Sequence, residues 1–216
     1  MLFGATGLAG SGVLRACLAA PAVSEVRALV RRSTAVSEPK LREIVHTDYL
    51  NYEAVKDAFA GVDACFFCLG ISVTQVPNEA DYRRIHQRFP LAAARLLRST
   101  SPAAHFHYLS GGRAGLNSWW MWARVKAEAE RDLMTGFEAT CWRPAMIDGT
   151  PVAPMPKLAE LMRPVLRAVF SRFRSMYIVS DDIGRAMLQA TEKNLRGRIF
   201  ENAEIRDLAD AAGRIA

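Results

Sequence analysis

The chain has 216 residues, half of them hydrophobic, which is enough apolar material for one core and one domain. Its net charge of +6 comes from 28 basic residues scattered among 22 acidic ones, without the basic blocks typical of nucleic-acid-binding proteins, so we expect no nucleic-acid partner. The longest charge-free apolar run, residues 64–73, is too short to span a bilayer, and no secretory signal pattern is present. We therefore expect a cytoplasmic protein without stable membrane insertion.

A glycine-rich loop follows the first apolar residues of the chain. Its spacing is GxxGxxG, at Gly4, Gly7 and Gly10, with a helical pattern directly after it. In such a loop one glycine lets the chain turn out of a strand, one lets the backbone approach a pyrophosphate, and one lets the helix pack closely on the sheet. The helix N-terminus offers free N–H groups to phosphates. The order of strand, loop and helix predicts a dinucleotide-binding site.

The first predicted strand is short, because only residues 1–3 precede Gly4. A central strand of a doubly wound sheet commonly has about five or six residues. We therefore expect a few natural residues upstream of Met1, and a longer chain that begins with them should be more stable.

Predicted strands and helices alternate along the rest of the chain. Each strand is a short apolar run, and each helix has apolar residues at helical spacing. This alternation predicts an α/β fold, a Rossmann-like doubly wound parallel sheet with helices on both faces. The predicted strands are 26–30, 43–46, 63–69, 105–109, 140–142, 177–179 and 198–200, and the predicted helices are 80–99, 122–134, 182–190 and a last one with Ile205, Leu208, Ala212 and Ile215 on one face.

The cysteines and two neighbouring histidines are expected to be core residues, so we expect no metal site. Cys65 and Cys68 form a CxxC pattern, but residues three apart on a strand point to opposite faces. His105 and His107 point to the same face of a strand, but the sequence nearby has no acidic third ligand.

Ligands of doubly wound sheets bind at the carboxyl ends of the strands. Arg31 and Arg32 follow the second strand, where proteins that prefer NAD commonly carry an acidic residue. A guanidinium can hold a 2′-phosphate through two charge-assisted hydrogen bonds of roughly 1.5–3 kcal/mol each. We expect NADP(H) to be preferred over NAD(H) by roughly 10- to 100-fold. The alternative is that the pair is a solvated loop end.

Several short motifs occur together in a characteristic order. In them the chain resembles the atypical short-chain dehydrogenase/reductase superfamily, and within it the NADPH-binding oxidoreductase group of the human Tat-interacting protein. The resemblance covers nearly the whole chain and implies one Rossmann domain, 1–216, with a small C-terminal substrate-side lobe or lid at roughly 145–176. The motifs are Gly4-Ala5-Thr6-Gly7, Val30-Arg31-Arg32, Cys68-Leu69-Gly70, Leu109-Ser110, Val125-Lys126-Ala127-Glu128 and Trp142-Arg143-Pro144.

The resemblance also implies which residues contact the cofactor. The phosphate loop would follow the pyrophosphate, the arginine pair would hold the 2′-phosphate, and the ends of later strands would contact the remaining groups. The residues concerned are Thr6, Gly7, Leu8 and Ala9 at the pyrophosphate, Arg31 and Arg32 at the 2′-phosphate, Asp48 near the adenine, Leu69 and Gly70 near the linking ribose, and Ile147 near the nicotinamide.

Active members of the superfamily use a Tyr-x-x-x-Lys pair and a serine. Here Lys126 and Ser110 are the corresponding lysine and serine, but Trp122 stands at the position of the tyrosine. An indole N–H only donates a hydrogen bond and cannot take up and release a proton near neutral pH. The lysine would also hold the nicotinamide ribose. The alternatives are a solvated Lys126, a turn role for Ser110, and a Trp122 that is either a core residue or stacked beside the nicotinamide.

Two further apolar segments are expected near the substrate. Residues 158–174 carry apolar and basic side chains at helical spacing, divided by Pro164 into two short helices. They are an ordinary packing surface, a lid, a dimer contact or a membrane-surface segment, and we expect a monomer or a homodimer. Residues 119–122, with three tryptophans, should line a pocket or an interface, because such a cluster is a liability in water.

Two functions fit this pattern. The first is an NADP(H)-dependent oxidoreductase that acts on a small carbonyl or quinone-like substrate. The second is a non-catalytic NADPH-binding regulator or sensor that acts through a protein partner. A sugar-nucleotide epimerase has a related fold but also needs the tyrosine that Trp122 replaces.

Overall fold

A seven-stranded parallel sheet organises the computed structural model, which describes residues 1–34, 36–152, 161, 164, 167–170 and 172–213. In chain order the described strands are β1 (Leu2–Phe3), β2 (Val26–Val30), β3 (Leu41–Val45), β4 (Ala64–Phe67), β5 (His105–Leu109), β6 (Thr140–Arg143), β7 (Met146–Asp148), β8 (Tyr177–Val179) and β9 (Ile199–Glu201). The central sheet has the order β3-β2-β1-β4-β5-β6-β9, so β1 lies in its middle. This order confirms the predicted Rossmann-like doubly wound fold.

Helices cover both faces of the sheet. The described helices are α1 (Leu8–Ala19), α2 (Glu79–Arg83), α3 (Phe89–Thr100), α4 (Met121–Phe137), α5 (Ser180–Glu192) and α6 (Asn202–Ala211). One core cluster packs α3 and α4 on the first face, around Phe3 and Phe67. The second cluster packs α1, α5 and α6 on the other face, around Leu2 and Trp142. Alternate residues of β1 therefore supply both cores, as the period of a strand requires.

The four cysteines are free and buried. Cys65 belongs to the core cluster of the first face, whereas Cys68 belongs to the cluster of the second face. Their separation on a strand, predicted from the spacing, is confirmed.

The predicted helix 80–99 is divided into α2, a π-helical turn at Arg84–Arg88, and α3. The cause is Pro90, which has no N–H to donate to the carbonyl four residues earlier. That carbonyl belongs to His86, and it accepts a hydrogen bond of 2.7 Å from the Tyr108 hydroxyl of β5 instead. The proline thus ties this helix to the middle of the sheet.

The predicted strand 177–179 is present as β8, but it does not join the central sheet. It pairs in parallel with β7, which the sequence analysis did not predict. Pro144 ends β6 because proline cannot continue a hydrogen-bonded ladder. Its carbonyl accepts from Gly112 N at 2.8 Å, and the chain then leaves the sheet into β7. Residues 153–160, 162–163, 165–166 and 171 of the predicted lobe, 145–176, lie outside the described residues, so the two predicted helices of 158–174 are described only in part. Ile215 also lies outside the described residues.

Two histidines of β5 share one face and form a buried polar network. The rings of His105 and His107 lie 4.0 Å apart between centroids. Trp142 Nε1 donates to His107 Nδ1, so the ring proton of a neutral His107 is on Nε2, 3.0 Å from Thr191 Oγ1. His105 Nε2 lies 2.7 Å from Thr140 Oγ1. No group of three or more potential metal ligands occurs among the residues that the structure describes.

Burial holds three histidines neutral in the folded protein. It lowers the pKa of His105 to about 4, with a smaller effect of the Arg196 charge, and it lowers the pKa of His107 well below its ordinary value. Burial, followed by the charge of Lys126, lowers the pKa of His86 to about 3. Each ring is therefore easier to protonate in the unfolded chain.

We expect the free energy of unfolding to fall as the pH is lowered from about 6.5 to about 5. In this window the histidines of the unfolded chain bind protons, whereas the buried rings of the folded protein stay neutral. Each histidine therefore contributes up to about 1.4 kcal/mol per pH unit to the slope of the unfolding free energy. Urea unfolding at a series of pH values measures the slope. His105→Asn, which cannot ionise, should make the slope shallower, and an unchanged slope would contradict the assignment.

Candidate functional site

A cleft of about 560 Å³ opens at the carboxyl ends of β1, β2 and β4. The phosphate loop forms one wall, and the chain after β2 forms the other. Its described lining consists of Gly4, Ala5, Thr6, Leu29, Val30, Arg31, Arg32, Ser33, Thr34, Tyr49, Leu69 and Val152. Its position is the one expected for the ligand site of a doubly wound sheet.

Gly4 and Gly10 allow the close contacts that shape the phosphate loop. Gly4 has a φ of +75°, and an added Cβ would lie 2.7 Å from the carbonyl carbon of Cys68, the residue that follows the neighbouring strand β4. An added Cβ on Gly10 would lie 2.0 Å from the Gly4 carbonyl oxygen. These two glycines therefore make the sharp turn and the close helix packing that the spacing predicted.

The middle glycine, Gly7, leaves the loop open toward solvent. It is exposed, and an added Cβ would meet only the Gly4 oxygen, at 3.4 Å. Gly7 N donates to that oxygen at 3.0 Å, which closes the turn before α1. No side chain of the described residues caps the N-terminus of α1. Thr6 and Leu8 are half-buried and Ala9 is buried.

Arg31 and Arg32 are exposed on the opposite wall, within the same cleft as Gly4 and Thr6. The structure thus brings the arginine pair and the phosphate loop together. Tyr49, which the sequence analysis missed, is 4% exposed and lines the cleft beside Arg31. The charge of Arg31 opposes the burial that raises the pKa of Tyr49. The one signal in the sequence that could have indicated Tyr49 is its position directly after Asp48.

The other predicted cofactor residues lie at different depths. Leu69 lines the cleft with Gly4 and Thr6. Predicted residues outside its described lining include Gly7, Leu8, Ala9, Gly10, Asp48, Gly70 and Ile147. Asp48 is exposed, and its carboxylate accepts from Leu50 N at 3.0 Å. Gly70 is exposed beside the ring of His86, and Ile147 is a half-buried residue of β7.

Two of the three predicted catalytic residues are in contact. Lys126 Nζ, on the second turn of α4, donates to the backbone carbonyl of Ser110 at 2.7 Å. The Ser110 hydroxyl is buried and has no hydrogen-bond partner among the described residues. Trp122 is half-buried one turn before Lys126 on α4, as the i, i+4 spacing requires. The Lys126 ammonium is thus bound to the backbone of Ser110, whereas the Ser110 hydroxyl makes no hydrogen bond to the described residues.

The charge of Lys126 is set by burial and by one acidic neighbour. Burial lowers the pKa of Lys126 to about 8, and the Glu130 carboxylate on the next turn acts in the opposite direction. Glu130 is 2% exposed and binds Arg143 through two hydrogen bonds of 2.6 and 2.9 Å. Arg143 also donates to Glu201 at 2.9 Å. These charges join α4 to β6 and β9 below the candidate site.

His86 is a buried group near this site that the sequence analysis did not single out. Its ring stacks on Tyr82 at 4.1 Å, and Nε2 lies 3.0 Å from the Ile71 carbonyl oxygen. Its Nδ1 has no hydrogen-bond partner among the described residues. Only the π-helical turn brings His86 to the end of β4, so no sequence pattern could have placed it there.

The tryptophan segment does not form a pocket wall at its first two residues. Trp119 is 98% exposed and Trp120 is 66% exposed. The turn that presents them is ordered, because the Arg124 guanidinium donates to the carbonyls of Ser118 and Trp119, both at 3.0 Å. The expectation of a pocket is wrong for these two residues, and an interface role stays a prediction.

A family model described as NAD(P)H-binding matches residues 4–148 of the chain. Among curated proteins, the chain is 26% identical over 213 residues to protein fmp52, mitochondrial, of Emericella nidulans, covering 94% of this chain and 91% of that protein. It is also 26% identical to protein fmp52-1, mitochondrial, of Aspergillus oryzae, over 94% of this chain and 90% of that protein.

Two solved structures of similar fold are described as sugar-nucleotide enzymes. The dTDP-glucose 4,6-dehydratase DesIV of Streptomyces venezuelae, solved with NAD and TYD, matches with a TM-score of 0.68 at 16% identity, over 97% of this chain and 78% of that one. A nucleoside-diphosphate-sugar epimerase of Staphylococcus aureus matches with a TM-score of 0.63 at 20% identity, over 99% and 76%. The family model shows the NAD(P)H-binding domain that the resemblance implied, and these structures share its Rossmann fold, which is consistent with the short-chain dehydrogenase/reductase superfamily.

The expected cytoplasmic location is contradicted by the names of the curated relatives, which are mitochondrial. The expectation relied on the lack of a secretory pattern and of a long apolar run, and neither feature distinguishes the cytoplasm from an organelle. No helix in the described ranges is long and apolar enough to cross a membrane.

We expect Gly10→Ala to destabilise the protein by about 1–3 kcal/mol, because its Cβ would be forced against the Gly4 carbonyl. Gly136→Ala is the matched control, since an added Cβ at that helical position meets nothing within 4 Å. The control should be neutral or more stable by up to about 1 kcal/mol. Urea unfolding compares the two variants. Equal effects would show that the loop tolerates a larger distance between Gly10 and the Gly4 carbonyl.

Proposed function

Because the chain belongs to the NAD(P)H-binding family, we propose that it is an NADP(H)-dependent oxidoreductase that acts on a small carbonyl or quinone-like substrate. The observation that carries the proposal is the cleft that Gly4, Ala5 and Thr6, just before the uncapped N-terminus of α1, line together with Arg31 and Arg32. Backbone N–H groups, the positive end of the helix dipole and two guanidiniums are the donors that a pyrophosphate and an adenosine 2′-phosphate need. The residues present therefore fit a phosphorylated dinucleotide.

The preference for NADP(H) rests on the chemistry of the wall after β2. Arg31 and Arg32 are exposed at the cleft, and its lining, as far as the structure describes it, includes no carboxylate that would repel a 2′-phosphate. A single bidentate contact would favour the phosphorylated cofactor by roughly 10- to 100-fold. Tyr49, buried beside Arg31, offers an aromatic surface next to the same wall.

The reaction centre would lie at the carboxyl end of β5, where Lys126 and Ser110 meet. The nicotinamide supplies or accepts the hydride when bound. Lys126, with a pKa of about 8, is largely protonated at neutral pH and can donate to a ribose hydroxyl as well as to the Ser110 carbonyl. The Ser110 hydroxyl, which has no partner among the described residues, can donate to a substrate oxygen after a rotation about its χ1.

The proton for the substrate oxygen needs another source than the usual tyrosine. The Trp122 indole N–H can orient a carbonyl by donating a hydrogen bond but cannot release a proton. The proton therefore comes from solvent, either directly or through the Ser110 hydroxyl, which is then reprotonated by solvent. A quinone-like substrate suits this arrangement, because its reduced oxygens are acidic and need little assistance.

The second candidate is an NADPH-binding regulator, and Trp122 is the observation that favours it. A cofactor site without a proton-transferring tyrosine can still bind and release NADPH. The exposed Trp119 and Trp120 precede α4, which carries Trp122 and Lys126, so cofactor binding and a partner surface would share one helix.

The proposed preference predicts that NADPH binds roughly 10- to 100-fold more tightly than NADH. Titration followed by tryptophan quenching and calorimetry measures both affinities. The double variant Arg31→Ala, Arg32→Ala should bring the ratio close to one, whereas Arg95→Ala, an exposed arginine on α3, should leave it unchanged. Equal affinities in the native protein would exclude the preference, and a folded protein that binds neither cofactor would exclude the function.

The role of Trp122 predicts that Trp122→Tyr increases carbonyl reduction by about 100-fold or more, because it restores a proton donor. NADPH oxidation with a panel of carbonyls and quinones is the measurement. Trp119→Tyr, at a 98% exposed position, is the matched control and should have no effect. Turnover by the native protein supports the oxidoreductase. Activity that appears only with Trp122→Tyr favours the regulator.

A further inference from the structure

The turn after β2 is held by a carboxylate from the neighbouring edge strand. Ser33 Oγ donates to Glu43 Oε2 at 2.6 Å. Thr34 N lies 3.1 and 3.2 Å from the two oxygens of the same carboxylate, and Thr34 Oγ1 donates to Oε1. Glu43 is the middle residue of β3 and pairs in register with Ala28 of β2. One acidic side chain therefore organises the two residues that follow the arginine pair.

These bonds decide what the carboxylate can do. Partial burial raises the pKa of Glu43, but the hydrogen bonds from Ser33 and Thr34 outweigh it and hold the pKa below its ordinary value. Glu43 is thus ionised at neutral pH, only one strand away from the cleft. Both its oxygens accept from the turn, so they are engaged rather than free to accept from a ribose hydroxyl.

The same bonds constrain the cleft wall. Ser33 and Thr34 line the cleft together with Arg31 and Arg32. Their hydroxyls donate to Glu43 and cannot donate the same protons to a phosphate. A 2′-phosphate on this wall would therefore depend on the two guanidiniums, whose direction follows from the backbone of the turn.

We propose that Glu43 is the positioning residue that sets the cofactor preference of this site. By holding Ser33 and Thr34 it keeps Arg31 and Arg32 turned to receive an adenosine 2′-phosphate, and it keeps its own charge away from the ribose. It does so without touching the cofactor. The inference rests on the proposed function, because it concerns the same cleft.

The test compares NADPH, NADH, adenosine 2′,5′-bisphosphate and 5′-AMP as probes. Glu43→Ala should weaken binding of the two 2′-phosphorylated probes about tenfold and change the other two less than about twofold, since the turn loses three or more hydrogen bonds. Thr34→Val has nearly the same shape without the hydroxyl and should act in the same direction. If Glu43→Ala folds poorly, Thr34→Val still tests whether the turn sets the cofactor preference.

Glu192→Ala is the control for charge, because it removes one carboxylate from α5 at the opposite end of the sheet. It should leave all four affinities unchanged. If Glu43→Ala or Thr34→Val leaves the NADPH to NADH ratio unchanged, the inference is overturned. If Glu43→Ala binds NADPH more tightly than the native protein does, the carboxylate acts only by repelling the phosphate, and the inference is again overturned. A native protein without preference overturns the proposed function instead, so the two failures are distinguishable.

Discussion

The structure depends on the contact between Gly10 of α1 and the carbonyl of Gly4, where an added Cβ would come within 2.0 Å. This approach lets α1 start directly after the loop that leaves β1, the central strand, and the first residues of that loop line the cleft. Gly4 in turn lies against Cys68 at the end of β4, so the same loop also sets the spacing to the next strand. Packing of α1 on the second face of the sheet then follows from its apolar residues.

Two backbone carbonyls near the candidate reaction centre accept hydrogen bonds from side chains. Pro90 cannot donate to the carbonyl of His86, and Tyr108 of β5 donates to it instead. Lys126 of α4 donates to the carbonyl of Ser110 at the end of the same strand. Both side chains gain a fixed place because a buried carbonyl without a partner is costly. The π-helical turn before α3 and the helix α4 are thereby joined to β5 by hydrogen bonds.

Charge is distributed differently on the two sides of this edge. The cleft wall presents exposed guanidiniums, which suits an anionic ligand. Below the reaction centre, Arg143 is enclosed between Glu130 and Glu201, and this pairing leaves the carboxylate of Glu130 to support the protonated form of Lys126. Exposed guanidiniums thus line the cleft, whereas the guanidinium of Arg143 is paired with two carboxylates. A basic net charge of +6 is consistent with this use without requiring a nucleic-acid partner.

The sequence by itself determined the Rossmann-like sheet, the phosphate loop and the arginine pair, because each depends on local pattern: glycine spacing, apolar period and residues that directly follow a strand. Only the tertiary structure decided that β8 leaves the central sheet, that His86 reaches the end of β4, that Lys126 meets the Ser110 carbonyl and that Glu43 holds the turn after β2. Those features join residues distant in the chain through hydrogen bonds and packing. No local pattern records which partner a carbonyl or a carboxylate will find once the sheet has formed.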